Sequence, residues 1–241
     1  MLTEKKPRLG IISALAEEQE GLIQAMTDPV RHTHGMRDYT VGKLWNRETV
    51  AVLSRIGKVA AAMTAATLVE KFGVTHILFT GVAGSADAAV RVGDVVIAES
   101  LVQHDMDASP LFPRFEVPLT GLSHLPSDLE LSSRLAHAAA TFLEGENGAT
   151  LHRGLIGSGD QFIHDGVRLA ALKTALPGLL AVEMEGAAVA QVCFELGIPF
   201  AVIRTISDNA NESAAMDFLH FVKTVASRYA FGIIERFCRH P

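Results

Sequence analysis

Cysteine is nearly missing from this chain: only Cys193 and Cys238 occur in 241 residues. Two thiols cannot build a disulfide framework and do not form a metal-ligand pattern, so burial has to hold the fold. Cys193 lies in a small-residue segment and reads as a buried helix position. An excess of positive charge is also missing. The formal charge is −6, which gives no reason to expect a nucleic-acid or membrane-surface partner. No apolar run approaches the ~20 residues needed to span a bilayer, and Met1 to Leu9 is short and polar, without the pattern of a signal peptide. A soluble, cytoplasmic protein is the expectation.

Several catalytic signatures are absent too. There is no P-loop, and no serine in a nucleophile elbow with an ordered histidine and acid. Gly81-Val-Ala-Gly84 lacks the third glycine and the downstream acid of a dinucleotide fingerprint. His104, Asp105 and Asp107 cluster, but no second cluster completes a ligand set, so no metal and no cofactor are expected. Nothing repeats at a fixed period, and no linker divides the chain.

What is present is a large apolar fraction: 49% hydrophobic against 20% charged, with mean hydropathy +0.26. That supports a sizeable core and excludes disorder. Buried strands are expected at Leu9–Ala14, Thr49–Ser54, His76–Thr80, Val92–Ala98, Leu151–Gly157, in the run Leu179–Glu185 that leads into the helix at Gly186, and from Phe200 onward. Helical segments alternate with them: the alanine-rich stretch after Ile56, residues 127–143, Asp165 to Leu176 stopped by Pro177, Gly186 to a glycine cap at Gly197, and Ser213 to Arg236. Residues 27–48 suit a β-meander. The alternation predicts an α/β fold, one domain over residues 1–241, with a central, mostly parallel mixed sheet flanked by helices. Residues 103–126 form a long irregular stretch with Phe112 and Phe115, read as a lid or a subunit contact.

Polar groups gather where apolar strands end: Glu18, Gly81–Gly84, Ser158–Ile163, Glu183 and Glu185, and Ser207–Asp208. In open α/β sheets ligands bind beyond the carboxyl ends of the strands, so these exits could share one cleft. Arg204 stands inside the apolar run Phe200–Ile206, a costly position without a partner. Helix capping explains acids such as Glu17, Glu18 and Glu20, without saying which of them enters a cleft. Alternation puts Glu183 and Glu185 on one face, where a carboxylate suits the vicinal hydroxyls of a ribose. Met184 between them offers adaptable apolar contact. Carboxylates without a metal motif point to acid–base work on a polar substrate.

Taken in order, Gly10-Ile-Ile-Ser-Ala-Leu-Ala-Glu-Glu18, Ile56-Gly-Lys-Val-Ala-Ala61, Thr80-Gly-Val-Ala-Gly84, Val92-Gly-Asp-Val-Val96, Ser158-Gly-Asp-Gln-Phe162, Val182-Glu-Met-Glu-Gly-Ala-Ala188 and Arg204-Thr-Ile-Ser-Asp208 make the chain resemble the nucleoside phosphorylase/nucleosidase superfamily. Within it the likeness is greatest to the 5′-methylthioadenosine/S-adenosylhomocysteine nucleosidases, over about residues 9 to 236. The resemblance implies hydrolysis of an adenine N-glycosidic bond through an oxocarbenium-like state, without a cofactor. Asp208 would protonate the purine N7 and Ser207 orient it, while Glu18 would activate water with help from Arg204 and Glu185. Glu183, Met184 and Glu185 would surround the ribose, with Ile56 and Val82 beside it. Phe162 would stack on adenine, the Ile163 backbone would read its edge, and Phe218 would close the base pocket. The family pattern is a homodimer whose partner chain covers the 5′ group, which suits the 103–126 stretch.

Three positions depart from that pattern. A serine is frequent where Val82 stands, and glycine is common where Arg55 and Ser85 stand. The extra arginine keeps open a phosphate-dependent nucleoside phosphorylase. A related nucleosidase of futalosine or another adenosine nucleoside, or an idle nucleoside-binding protein, are the remaining alternatives.

Overall fold

The computed structural model describes residues 6–146, 148–211 and 213–239, apart from the side chains of residues 223 and 224. The polar residues 1–5 at the start of the chain lie outside them. Among the described residues, ten strands form one mixed sheet. β1 (Leu9–Ser13) is followed by a 3-10 turn, Ala16–Glu18, and the short helix α1 (Glu20–Gln24). β2 (Thr27–His34), β3 (Arg37–Leu44) and β4 (Arg47–Leu53) make the expected meander, antiparallel throughout. Helix α2 (Lys58–Glu70) leads to β5 (His76–Ser85), then β6 (Val95–Gln103) and the two-residue β7 (Leu125–Pro126). Helices and strands alternate from there: α3 (Leu129–Leu143), β8 (Leu151–Ser158), α4 (Gly166–Ala175), β9 (Leu179–Glu183), α5 (Gly186–Leu196) and β10 (Phe200–Asp208).

The sheet is assembled from two parallel groups that run against each other. β4, β1, β5 and β10 pair in parallel, and so do β6, β8 and β9. Antiparallel pairing joins β10 to β6 on one side. On the other, β5 and β9 touch only at Gly84↔Val182 and Ser85↔Ala181, so the two strands overlap at their carboxyl ends alone. β5, β10, β6, β8 and β9 thereby close into a ring. The strand exits converge because two parallel groups meet end to end, not because all strands share one edge.

Two strands run further than their apolar cores. β5 continues through Gly81–Gly84 instead of ending at Thr80, since β10 pairs with it from Ile77 to Gly84. β6 starts at Val95 and reaches Gln103, where β8 supports it. Residues 103–126 are ordered by turns, a bridge between Val117 and Leu122, and β7 on β6. Phe115 is buried, whereas Leu111 and Leu119 are 84% and 89% exposed.

Helix ends follow their local chemistry. The Asp128 carboxylate accepts from the Leu131 N–H at 2.8 Å, and the Asp165 carboxylate from the Arg168 N–H at 2.7 Å, each an N-cap for the donors a helix leaves unpaired. Gly197 closes α5 at φ 65°, a left-handed cap that glycine takes without a Cβ penalty. The expected closing helix is α6 (Ala214–Phe221) and α7 (Ser227–Arg239), joined by a π-helical turn, Val222–Ala226. That turn changes the face presented along the helix. Phe218 on α6 is thus turned to the strand exits, while Ile233, Ile234 and Phe237 on α7 pack into the core beside α3. Cys193 and Cys238 are buried and free, and burial pushes both thiols up to about 12.

Candidate active site

Where the strand ends converge there is a cavity of about 340 Å³. Asp208, Ser207, Arg204, Glu18, Phe162, Ile163, Glu183, Met184, Glu185, Phe218, Ile56 and Val82 all line it. The sequence separates Glu18 from Asp208 by most of its length, and the sheet brings both to one cavity.

Asp208 is the last residue of β10 and is 2% exposed. One carboxylate oxygen accepts from the Ser207 hydroxyl at 2.8 Å and the other from the Ala210 N–H at 2.8 Å. Burial pushes its pKa up, against those two hydrogen bonds, so the group holds its proton at higher pH than an exposed aspartate. A β-bulge between Ile206 and Asp208 breaks the pairing with β5 and aims the strand end into the cavity. The 91–94 turn secures that bulge from behind. The Ile206 N–H donates to the Asp94 carbonyl at 2.8 Å, and the Gly93 N–H to the Ile206 carbonyl at 2.9 Å. Gly84 faces the acid across the bulge, where a Cβ would stand 2.9 Å from its Oδ1.

Glu18, of the three early acids, is the one turned inward. It is 2% exposed, while Glu17 and Glu20 are exposed. Its Oε2 accepts from the N–H groups of Ala14 and Leu15 at 2.9 and 3.0 Å, and its Oε1 from the Val82 N–H at 3.2 Å. Burial raises its pKa, while these donors and the Arg204 charge hold part of it back. The donor from residue 82 is the backbone, so valine can hold the glutamate as a serine would.

Glu183 and Glu185 have different surroundings. Glu183 ends β9, and its carboxylate accepts from the Ser158 hydroxyl, from the Glu185 N–H at 3.1 Å and from the Gly186 N–H at 2.8 Å. It also pairs with Arg204 Nη2 at 2.6 Å. These bonds cap the start of α5 and neutralise the buried arginine, so they leave Glu183 little capacity for a ribose. Glu185 accepts a bond from the Gly57 N–H at 2.8 Å through Oε1. Burial, with the Glu183 charge beside it, pushes Glu185 up to about 8.

Arg204 is enclosed, 1% exposed, with its guanidinium 4.0 Å above the Phe79 ring. Nη1 donates to the carbonyls of Ile203 and Phe79 at 3.1 and 3.4 Å. The lack of a side chain at Gly81 lets Arg204 and Glu18 approach: a Cβ there would be 3.2 Å from Nη1 and 3.3 Å from the Glu18 Oε1.

The mouth is apolar. Phe162, 40% exposed, meets Phe218 edge to face at 5.9 Å and 75°, with Ile56 also on the rim and Ile163 buried behind. Arg55 does not line the cavity; it donates to the Met36 carbonyl at 2.8 Å. Its φ is +67°, a left-handed backbone that explains why glycine suits this position and that costs about 1–2 kcal/mol for another residue. Ser85 turns away as well, donating to the carbonyls of Asp87 and Val90.

Some supporting residues had no sequence signal. Arg37 is buried and donates to the carbonyls of Gly35, Ser54 and Ala60, fixing the loop that carries Ile56 and Gly57. Phe79 under Arg204 looks like any apolar strand residue. Ser158 and Gly57 lay inside quoted motifs, but their roles depend on partners 25 and 128 positions away. Asn211, noticed for its polarity, accepts from Ser213 in a local turn.

Known proteins resemble the chain throughout. The profile of the phosphorylase superfamily matches residues 8–239. A 5′-methylthioadenosine/S-adenosylhomocysteine nucleosidase of Shewanella frigidimarina is 35% identical over 227 residues, 94% of this chain and 97% of that one. The crystal structure of the corresponding nucleosidase from Neisseria meningitidis, in complex with methylthio-immucillin-A, has a TM-score of 0.91 at 34% identity and covers 98% of this chain and 100% of its own. A Helicobacter pylori structure described as a futalosine hydrolase mutant has a TM-score of 0.86 at 33% identity, covering 96% and 98%. The chain therefore belongs to the phosphorylase superfamily, among relatives that are 5′-methylthioadenosine/S-adenosylhomocysteine nucleosidases.

Proposed function

We propose that the protein hydrolyses the adenine N-glycosidic bond of 5′-methylthioadenosine and S-adenosylhomocysteine, releasing adenine and the thioribose product. The observation that carries this reading is a single cavity in which two of the four buried carboxyl groups, Asp208 and Glu18, have different settings. Asp208, whose pKa burial raises, accepts from the Ser207 hydroxyl and the Ala210 N–H, and Glu18 is gripped by three backbone N–H groups and faces Arg204.

In this reading adenine stacks on Phe162 under Phe218, with the Ile163 backbone at its edge. The ribose hydroxyls meet the free oxygen of Glu185, beside Met184, Ile56 and Val82. As the C1′–N9 bond breaks, Asp208 gives its proton to N7, so the base leaves neutral. Ser207 keeps the carboxyl aimed at N7. Glu18 accepts a proton from the water whose oxygen bonds to C1′. Glu183 acts through its partners, fixing Arg204 and the start of α5.

The arginines favour water over phosphate as nucleophile. Arg204 is neutralised by Glu183, and Arg55 points to the β2–β3 turn. A phosphate would instead meet the Glu18 carboxylate. We place the protein in the cytoplasm as one domain over residues 1–241. It works as a homodimer with residues 103–126 near the interface, supported by the exposed Leu111 and Leu119 on a segment that adds nothing to the cavity wall. A mass measurement in solution showing a monomer would refute the dimer.

Asp208→Asn should lower kcat for methylthioadenosine by about 10²- to 10⁴-fold while the protein melts as before. Unchanged turnover would refute the acid role. A panel of methylthioadenosine, S-adenosylhomocysteine, adenosine, AMP, inosine and an aminofutalosine should place the first two ahead on kcat/KM.

A further inference from the structure

The stretch Val92-Gly-Asp-Val-Val96 lines no part of the cavity, yet it holds an enclosed carboxylate. Asp94 directly precedes β6 and is 1% exposed. Its Oδ1 accepts from the Thr150 N–H at 2.7 Å, and its Oδ2 from the Arg91 N–H at 2.9 Å. The Nε2 of His152, on β8, lies 3.0 Å from the same Oδ2. With a carboxylate oxygen facing it, Nε2 is the nitrogen that carries the proton and donates. Burial pushes the Asp94 pKa up, but the Arg91 N–H, the His152 ring and the Thr150 N–H outweigh it and bring the group below an exposed aspartate.

The backbone of Asp94 connects this carboxylate to the chemistry. β6 supports β10 only as far as the pair Thr205↔Val95. Beyond it, among the described residues, β5 is the remaining partner strand, and the bulge interrupts that pairing between Ile206 and Asp208. The turn takes over where β6 stops. The Asp94 carbonyl accepts from the Ile206 N–H at 2.8 Å, and the Gly93 N–H donates to the Ile206 carbonyl at 2.9 Å. The Asp94 side chain ties the same turn to its own start at Arg91 and to β8 at Thr150 and His152. Ile206 is thereby held two residues before the acid.

We propose that Asp94 and His152 are positioning residues for the proton transfer, acting through the Ile206 backbone to hold the Asp208 carboxyl at the purine N7. The assignment rests on the nucleosidase reading above and deepens it. Neither residue touches the substrate. Neither holds the water-activating group, since Glu18 hangs on the N–H groups of Ala14, Leu15 and Val82. Loss of the clamp therefore weakens protonation of the leaving base and spares the attack on C1′. A displacement of about 1 Å at a catalytic group can cost about 10²-fold in rate, so a remote clamp is enough to matter.

The test compares two leaving groups on one sugar. Adenine in methylthioadenosine needs a proton to leave, whereas the 4-nitrophenolate of 4-nitrophenyl 5-methylthio-β-riboside leaves without one. Asp208→Asn sets the benchmark, losing far more on the first substrate than on the second. His152→Leu should lower kcat by about three- to tenfold on methylthioadenosine, with KM and the nitrophenyl rate within about twofold of the unaltered enzyme. His152→Gln can still present an N–H to Asp94 and should recover most of that loss. Asp94→Ala should show the same selectivity with a larger loss, about 10- to 100-fold. The His152 side chain is 20% exposed, so its two variants decide the matter if Asp94→Ala does not fold. Equal losses on both substrates, no loss on either, or no recovery with glutamine would overturn the clamp while leaving the nucleosidase reading in place. No turnover of either substrate by the unaltered enzyme would overturn both.

Discussion

Asp208, Glu18 and Glu185 all hold their protons to higher pH than exposed carboxyl groups, and in each case burial is the main cause. That has a cost in stability. Glu185 rises from 4.5 to about 8, so the folded state binds more protons than the unfolded one between those values. Stability from this group is complete below about 4.5 and falls as the pH rises toward 8. Glu185→Gln should therefore flatten the decline in melting temperature over that window while kcat/KM drops. An unchanged slope would show that Glu185 is not the titrating group. Gly84 tests the acid from the opposite side. A methyl group there would stand 2.9 Å from the Asp208 Oδ1, and the carboxyl, a movable side chain, would have to give way. The methyl would also stand 3.2 Å from the Ala210 Cβ, so Gly84→Ala should lower the melting temperature somewhat and lower kcat by about 10- to 100-fold, because small displacements of a catalytic group are costly. Unchanged kcat would mean that the position of the carboxyl is not critical. Polar residues at the ends of apolar strands made these positions legible in the sequence. The separate tasks of Glu183 and Glu185 were not. Alternation holds only within a strand, and the backbone leaves β9 at Glu183 and turns into α5 at Glu185, with φ −136° and ψ −40°.

Helix α5 shows how an element can serve a site it barely touches. Its first N–H groups are taken by Glu183 and by the Ser158 hydroxyl, so β8, β9, α5 and β10 meet at one carboxylate through Arg204. Glu183→Gln would leave the arginine buried without its counter-ion. A loss of about 3–5 kcal/mol in unfolding free energy is expected, read by urea denaturation. A loss under about 1 kcal/mol would show that Phe79 and the carbonyls suffice for the cation. The extension of β5 past Thr80 was hidden for a related reason. Two glycines in five residues carry little strand propensity, and the segment is held as a strand by β10 and β9. The helices were easier to anticipate, because their caps at Asp128, Asp165 and Gly197 are local.

At the scale of the whole molecule, alternation of strands and helices was enough to anticipate an α/β fold with a mixed sheet. The closure of five strands into a ring could not be anticipated, because it depends on pairings such as β5 with β9, about a hundred residues apart and two register positions long. That closure lets the carboxyl ends of opposed strands face one cavity, lined by both Asp208 and Glu18. The central claim is that this cavity delivers water to C1′. The most direct measurement is turnover of methylthioadenosine in phosphate-free buffer made with ¹⁸O-labelled water, followed by mass spectrometry of the sugar. The account predicts adenine release at the same rate with or without phosphate, and a methylthioribose carrying one labelled oxygen. Release that requires phosphate and yields an unlabelled sugar 1-phosphate would contradict it.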